Sequence, residues 1–310
     1  MLRYWAFRTA AWMVPRVPVA VSYGIAWLGA ELAFRFVPSR RQAVTSNLRH
    51  VMGLDEAAPA LNVAVRSVFH TQAYNYVDLF LMPRLTPEWL AERIEITNLS
   101  AFLQACTQGK GVILATAHLG NFDLLVKVTK TLNVPTAVLV ERLTPEAMHQ
   151  TVVRLRGAHG IRLIPAGPGG LREAVRTLKS GGVLAIGADR DVQGRGEPVS
   201  FFGKPARMPV GAVELARRTG AALVPAFGLR LPGRRYRITI EPPIVPEAGT
   251  LIGLMERYIR EHPEQWIVFE PVWRADVSLR MERSGLPSTS DEPEIATAVA
   301  GLAMTRKGPE

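Results

Sequence analysis

Short, nearly all-apolar runs recur through the middle of the chain, at residues 111–117, 136–140, 161–164, 183–187 and 222–227. Runs of that length, bounded by glycine or polar residues, read as strands buried on both faces. The segments between them have helical patterns, near 124–132, 145–158, 171–179 and 208–218. Pro145 stands at the first helical position of one, and glycines at 181, 182 and 220 close others. Strand–helix alternation predicts an α/β fold with a mostly parallel central sheet flanked by helices. Residues 94–96 read as an edge strand and 234–240, R-R-Y-R-I-T-I, as an outer one.

The first of these runs continues into G-V-I-L-A-T-A-H-L-G-N-F-D-L-L-V, residues 111–126. His118 leaves the predicted strand, and Asp123 follows it by five positions, on the first turn of a helix. Open α/β folds place their chemistry at such strand ends. From that turn the carboxylate can fold back onto the ring, fix its tautomer and strengthen it as a base. A hydrogen-bonded histidine in a strand–helix turn reads equally well from local chemistry alone. A histidine base suits proton removal from an alcohol as it attacks an activated carbonyl. No G-x-S-x-G supplies a serine nucleophile, and Cys106 lies in a predicted helix as a packing residue. Direct transfer between two bound substrates therefore fits better than a covalent enzyme intermediate.

A second element, D-R-D-V-Q-G-R-G-E-P-V-S-F-F-G-K-P-A-R-M-P-V-G, spans 189–211 and reads as a long loop entering a helix. Arg190, Arg195, Lys204 and Arg207 are candidates to hold phosphate oxygens. Asp189 and Asp191 read as carboxylates that orient arginines. The alternative is a surface loop held by Asp–Arg pairs. Arg154, Arg156, His159 and Arg162 form a third basic cluster near a predicted sheet mouth. Gly167, Gly169 and Gly170 match neither G-x-G-x-x-G nor a P-loop, which argues against a dinucleotide or nucleoside-triphosphate site.

Charge concentrates at the start. Before residue 50, Arg3, Arg8, Arg16, Arg35, Arg40, Arg41 and Arg49 face Glu31 alone, interleaved with Tyr4, Trp5, Trp12, Tyr23 and Trp27. Arginine beside aromatics suits a headgroup-level helix on an anionic membrane. The stretch 17–37 carries Glu31 and Arg35, so it reads as interfacial rather than spanning. The net charge of +10 also raises nucleic acid as a partner, but no stacking platform or reading helix accompanies it. One cysteine and six scattered histidines without H-E-x-x-H predict neither a disulfide nor a metal site, and no cofactor is expected. Residues 58–82 read as one long helix, with His70 and Tyr74 four apart as packing residues or the border of a pocket. The organisation expected is a membrane-associating helical segment over 1–37, an α/β domain over 38–273 and a polar, disordered tail over 274–310.

Further stretches carry a resemblance: N-L-R-H-V-M-G at 47–53, D-R-D…F-F-G…R-M-P-V-G at 189–211, T-G-A-A-L-V-P at 219–225 and H-P-E-Q-W at 262–266. With H-L-G-N-F-D at 118–123, this ordered set resembles the bacterial lipid A biosynthesis acyltransferases and the related phosphatidylinositol mannoside acyltransferases of actinobacteria. Both lie within the glycerolipid acyltransferase superfamily, whose motif is a histidine, four residues and an acid. The resemblance implies a glycerol-3-phosphate acyltransferase-like fold on the cytoplasmic face of the membrane. It also implies transfer of a fatty acyl group from acyl-CoA or acyl carrier protein to a glycolipid hydroxyl. His118 would be the general base, Asp123 its partner, and Arg156 and Arg190 would assist them or bind phosphate. Backbone N–H groups at Gly120 or Asn121 are candidates for an oxyanion hole. Many lipid A enzymes carry glutamate as the acid; the D-R-D block and Asp123 tilt the reading toward the mannoside branch. The alternatives are a lipid A-type late acyltransferase, a hydrolase and a non-catalytic lipid-binding protein that keeps the fold.

Overall fold

A computed structural model describes residues 2–273 apart from 132–133, 158–159 and 192–193. The expected tail and His159 lie outside the described residues. The first half runs α1 (Leu2–Met13), α2 (Val19–Phe36), α3 (Pro38–Met52), α4 (Pro59–Leu81), α5 (Pro87–Arg93), β1 (Ile94–Thr97), α6 (Leu99–Thr107), β2 (Val112–Thr116) and α7 (Phe122–Thr131). There follow β3 (Thr136–Val140), α8 (Glu146–Gly157), β4 (Arg162–Pro165), α9 (Pro168–Lys179) and β5 (Val183–Gly187). The chain then forms β6 (Glu197–Phe201), β7 (Lys204–Met208), α10 (Gly211–Thr219), β8 (Ala222–Leu231), β9 (Arg235–Ile240) and α11 (Ala248–Glu261). Prolines open α3 and α4, where a missing N–H is harmless, and Gly53 ends α3 at φ +63°.

Seven strands form one sheet in the order β1-β9-β8-β2-β5-β3-β4, and every pairing but β8–β9 is parallel. Central strand β2 explains its own composition. Ile113 and Ala115 join the core on one face with Leu184, Ile186 and Leu223. Val112 and Leu114 join the core on the other with Val183, Ala185 and Val224. Both faces are covered, so both alternating sets must be apolar. Helices α3, α4, α10 and α11 cover the first face, and α6 and α7 cover the second.

Two expectations change. β9 is not an outer strand: it lies between β8 and β1, because its antiparallel pairing with β8 leaves its other edge for β1. Nor is 189–211 a continuous loop. Glu197–Phe201 and Lys204–Met208 pair as an antiparallel hairpin, with Phe201 and Met208 buried. The N-terminal segment forms α1 and α2, and no described helix is long and apolar enough to cross a membrane. α2 lies along α4, with Ala30 in the main core, while Phe7 and Val14 pack with Phe80 and Leu155.

Candidate active site

The pairing of β2 with β5 builds the site. Thr116 stands opposite Gly187 in parallel register, and Ala188 N–H donates to the Thr116 carbonyl at 2.8 Å. Two residues beyond each strand end, His118 and Asp189 therefore meet. His118 Nδ1 lies 2.7 Å from Asp189 Oδ1, and the His118 peptide N–H donates to Oδ2 at 2.8 Å. Trp266 Nε1–H donates to the same Oδ2 at 2.9 Å. Burial alone would raise the Asp189 carboxyl, but the His118 ring, its peptide N–H and Trp266 together hold it below the usual carboxylate range. An ionised Asp189 only accepts, so Nδ1 carries a proton, and in the neutral ring the lone pair is then on Nε2.

The expected partner of the ring was Asp123, and the contacts correct this. Asp123 turns to Arg156 of α8, whose Nε lies 2.8 Å from Oδ1. The carboxylate on the ring comes from a residue 71 positions away, because strand register and not chain proximity sets what faces Nδ1. Phe122 packs edge-on against the His118 ring, with centroids 5.0 Å apart, and the Arg156 guanidinium lies over Phe122. Gly187 belongs to the same fit: a Cβ there would come within 3.0 Å of His118 Cε1.

The oxyanion assignment to Gly120 and Asn121 also changes. Gly120 N–H donates to the Gln265 carbonyl at 2.9 Å and Asn121 N–H to the Gly228 carbonyl at 3.1 Å, so neither amide is free. Gly120 has φ +51°, and a Cβ on it would meet the Gly228 carbonyl oxygen at 2.2 Å. This backbone-to-backbone approach requires glycine. Asn121 instead caps α7, its Oδ1 accepting from Leu124 N–H at 3.3 Å.

His118, Asp123, Arg156, Arg190 and Arg195 all line one cavity of about 1710 Å³. Its apolar walls come from α1, α2 and α4, through residues such as Ala26, Ala30, Ala33 and Phe80. Arg190 is 3.4 Å from Glu270, which Arg40 also approaches at 3.9 Å. Lys204 and Arg207 are not on that lining. Both sit in the hairpin, Lys204 near His50 and Arg207 beside Asp191 at 3.9 Å. Asp191 lies near Arg207 and accepts from the Arg195 peptide N–H at 3.0 Å, whereas Asp189 meets the histidine ring and not an arginine. Of the third basic cluster, Arg154 and Arg162 are exposed, and Arg162 pairs with Glu173. Sequence reasoning missed Asp189, Gly187 and Trp266 as parts of the site, although H-P-E-Q-W and D-R-D marked two of them.

The family model described as bacterial lipid A biosynthesis acyltransferase matches residues 1–275. The chain belongs to that family. It is similar to the phosphatidylinositol mannoside acyltransferase of Mycobacterium tuberculosis, at 30% identity over 250 residues, 76% of this chain and 78% of that protein. The phosphatidylinositol mannoside acyltransferase of Mycolicibacterium smegmatis is 27% identical over 281 residues, 87% of this chain and 91% of its own length. The protein is an acyltransferase of lipid biosynthesis, and its large, mainly apolar cavity is of a kind suited to such work.

Proposed function

We propose that this acyltransferase moves a fatty acyl group from a thioester, acyl-CoA or acyl carrier protein, to a hydroxyl of a membrane glycolipid of the phosphatidylinositol mannoside type. His118 is the general base. The observation that carries this is the ring held at Nδ1 by a buried, ionised Asp189 while Nε2 has no protein partner among the described residues. The acceptor hydroxyl gives its proton to Nε2 as its oxygen attacks the thioester carbonyl carbon. The tetrahedral intermediate collapses, the C–S bond breaks, and Nε2–H returns the proton to the departing thiolate. Asp189 stays a carboxylate throughout and stabilises the imidazolium. Arg156, fixed by Asp123 on the cavity wall, is the cation placed to meet a developing oxyanion or a substrate phosphate. Arg190 and Arg195 extend that wall as headgroup-binding cations. The acyl chain lies along the walls given by α2 and α4.

The docking surface is the outer side of α1 and α2, on the cytoplasmic face of the membrane. Trp5, Trp12, Trp27, Leu28, Leu32 and Phe36 are exposed there. Exposed aromatics of this kind match the headgroup region of a lipid surface, and nearby arginines match anionic lipid.

His118→Ala is expected to lower transfer by at least about 10³-fold with the fold intact. The assay pairs palmitoyl-CoA and palmitoyl–acyl carrier protein with phosphatidylinositol mannosides and lipid A precursors, and reads products by mass spectrometry. Near-parental transfer by folded H118A would overturn the assigned base. Acyl release without acceptor, at the same rate, would make the enzyme a hydrolase.

A further inference from the structure

Polar side chains from four elements meet behind the turn that follows His118, and Asn75, Asp78, Asn121 and Arg230 are outside the lining of the cavity. Asp78 of α4 accepts at Oδ2 from Asn121 Nδ2 and from Tyr236 OH, each at 2.7 Å, and from Arg230 Nη2 of β8. Its Oδ1 accepts from Tyr23 OH of α2. Arg230 Nη2 also donates to Asn75 Oδ1 at 2.7 Å, and Asn75 Nδ2 donates to the Gly120 carbonyl at 2.6 Å. The Arg230 peptide N–H and carbonyl are both held by the Gln265 side chain, and the Gln265 carbonyl accepts from Gly120 N–H. Gly120 and Asn121 are thus tied at two points to the Asp78–Arg230 ion pair, through the Asn75 and Asn121 side chains, and at a third, through Gln265, to the Arg230 main chain.

Stability alone is a poor account of that pair. Burying Asp78 and Arg230 desolvates two charges, and apolar residues of the same volume often serve stability as well or better. What the pair supplies is a set of charge-assisted hydrogen bonds in fixed directions. Burial first, and Asp78 second, push the Tyr236 hydroxyl upward, so it remains a donor. The turn held in this way leads from His118 to the first turn of α7, which bears Asp123.

We propose that Asp78 and Arg230 are positioning residues: their ion pair fixes the Gly120–Asn121 turn and, through it, the placing of His118 and Asp123 for transfer. The inference rests on reading His118 as the base. Two variants of the full chain test it, Asp78→Asn and Asn121→Ser. Serine keeps an oxygen to cap Leu124 N–H but is too short to reach Asp78, so it removes only the link. With palmitoyl-CoA and phosphatidylinositol mannoside, N121S is expected to lower kcat at least about 10-fold and to change either KM by less than about 2-fold. Amide exchange in residues 117–124 should quicken at least about 10-fold while that of β2 stays parental. D78N should lower kcat further; if it does not fold, N121S carries the test. Parental kcat and exchange in N121S, or a loss of kcat accompanied by uniformly faster exchange through the sheet, would overturn the proposal. If parental transfer proves independent of His118, the functional reading falls, and exchange at 117–124 still decides whether the pair holds the turn.

Discussion

Amidating Asp189 separates charge from shape at the ring. Three donors converge on its two oxygens, the His118 peptide N–H, Nδ1–H and Trp266 Nε1–H. An asparagine replaces one acceptor by a donor, so one of those donors must face an N–H₂. The ring's tautomer is then no longer fixed. Asp189→Asn is expected to lower kcat by about 10³- to 10⁴-fold, the scale found when the orienting carboxylate of a hydrolase triad is amidated. Steady-state rates with an unchanged circular dichroism spectrum would check this; a loss below about 10-fold would mean Asp189 does not orient the base. His118 was legible because it leaves an apolar strand into a turn. Asp189 was not, because its nearness to His118 depends on β2 lying beside β5 in one register.

At the scale of elements, Glu31 clasps α2 to α4. It accepts from Arg66 Nε at 2.7 Å and meets His70 Nε2 at 2.6 Å. The hydrogen bond from Arg66 lowers the Glu31 carboxyl most; burial opposes that, and His70 adds to it, leaving the group at about 2 against an ordinary 4.5. A carboxyl lowered on folding stabilises the protein fully above its unfolded pKa and stops doing so as pH falls through the folded one. Glu31→Gln is therefore expected to be less stable than the parent at neutral pH, with the deficit shrinking below about 4.5 and gone near 2. Urea midpoints across that range read it, and a deficit independent of pH would show that the charge contributes nothing. His70 read in the sequence as a packing or pocket residue. Its role depends on α2 and α4 lying side by side, which spacing within one helix cannot reveal. Long helix α4, by contrast, was legible from its length and apolar spacing.

At the scale of the whole molecule, α1 and α2 present two faces. Their inner sides line the cavity through Phe7, Ala26, Ala30 and Ala33, and their outer sides expose Trp5, Trp12 and Phe36. Deleting 1–37 would therefore unroof the cavity as well as remove the proposed docking surface, so substitution is the cleaner test. The variant with Trp5, Trp12 and Phe36 all changed to Ser is expected to partition onto anionic vesicles at least about 10-fold more weakly at matched salt. Raising the salt should weaken the remaining binding, as the net charge of +10 requires of an anionic surface. Co-sedimentation reads both, and unchanged partition would move the docking surface elsewhere. The hairpin β6–β7 belongs to this scale too. The sequence offers its Lys204 and Arg207 as candidates to hold phosphate oxygens, but in the paired strands neither is on the cavity lining, and Arg207 lies behind it, beside Asp191.

The sequence by itself determined the α/β class, the helix ends set by proline and glycine, the histidine at a strand terminus and the family. Those follow from patterns within one segment, where periodicity and local sterics act. Only the tertiary structure decided that Asp189 rather than Asp123 holds the ring, that the Gly120 and Asn121 amides are spent on Gln265 and Gly228, and that one ion pair ties the turn to α4 and β8. These contacts join segments far apart in the chain, and hydrogen-bond partners there are chosen by strand register and helix packing, which a residue's neighbours in sequence do not encode.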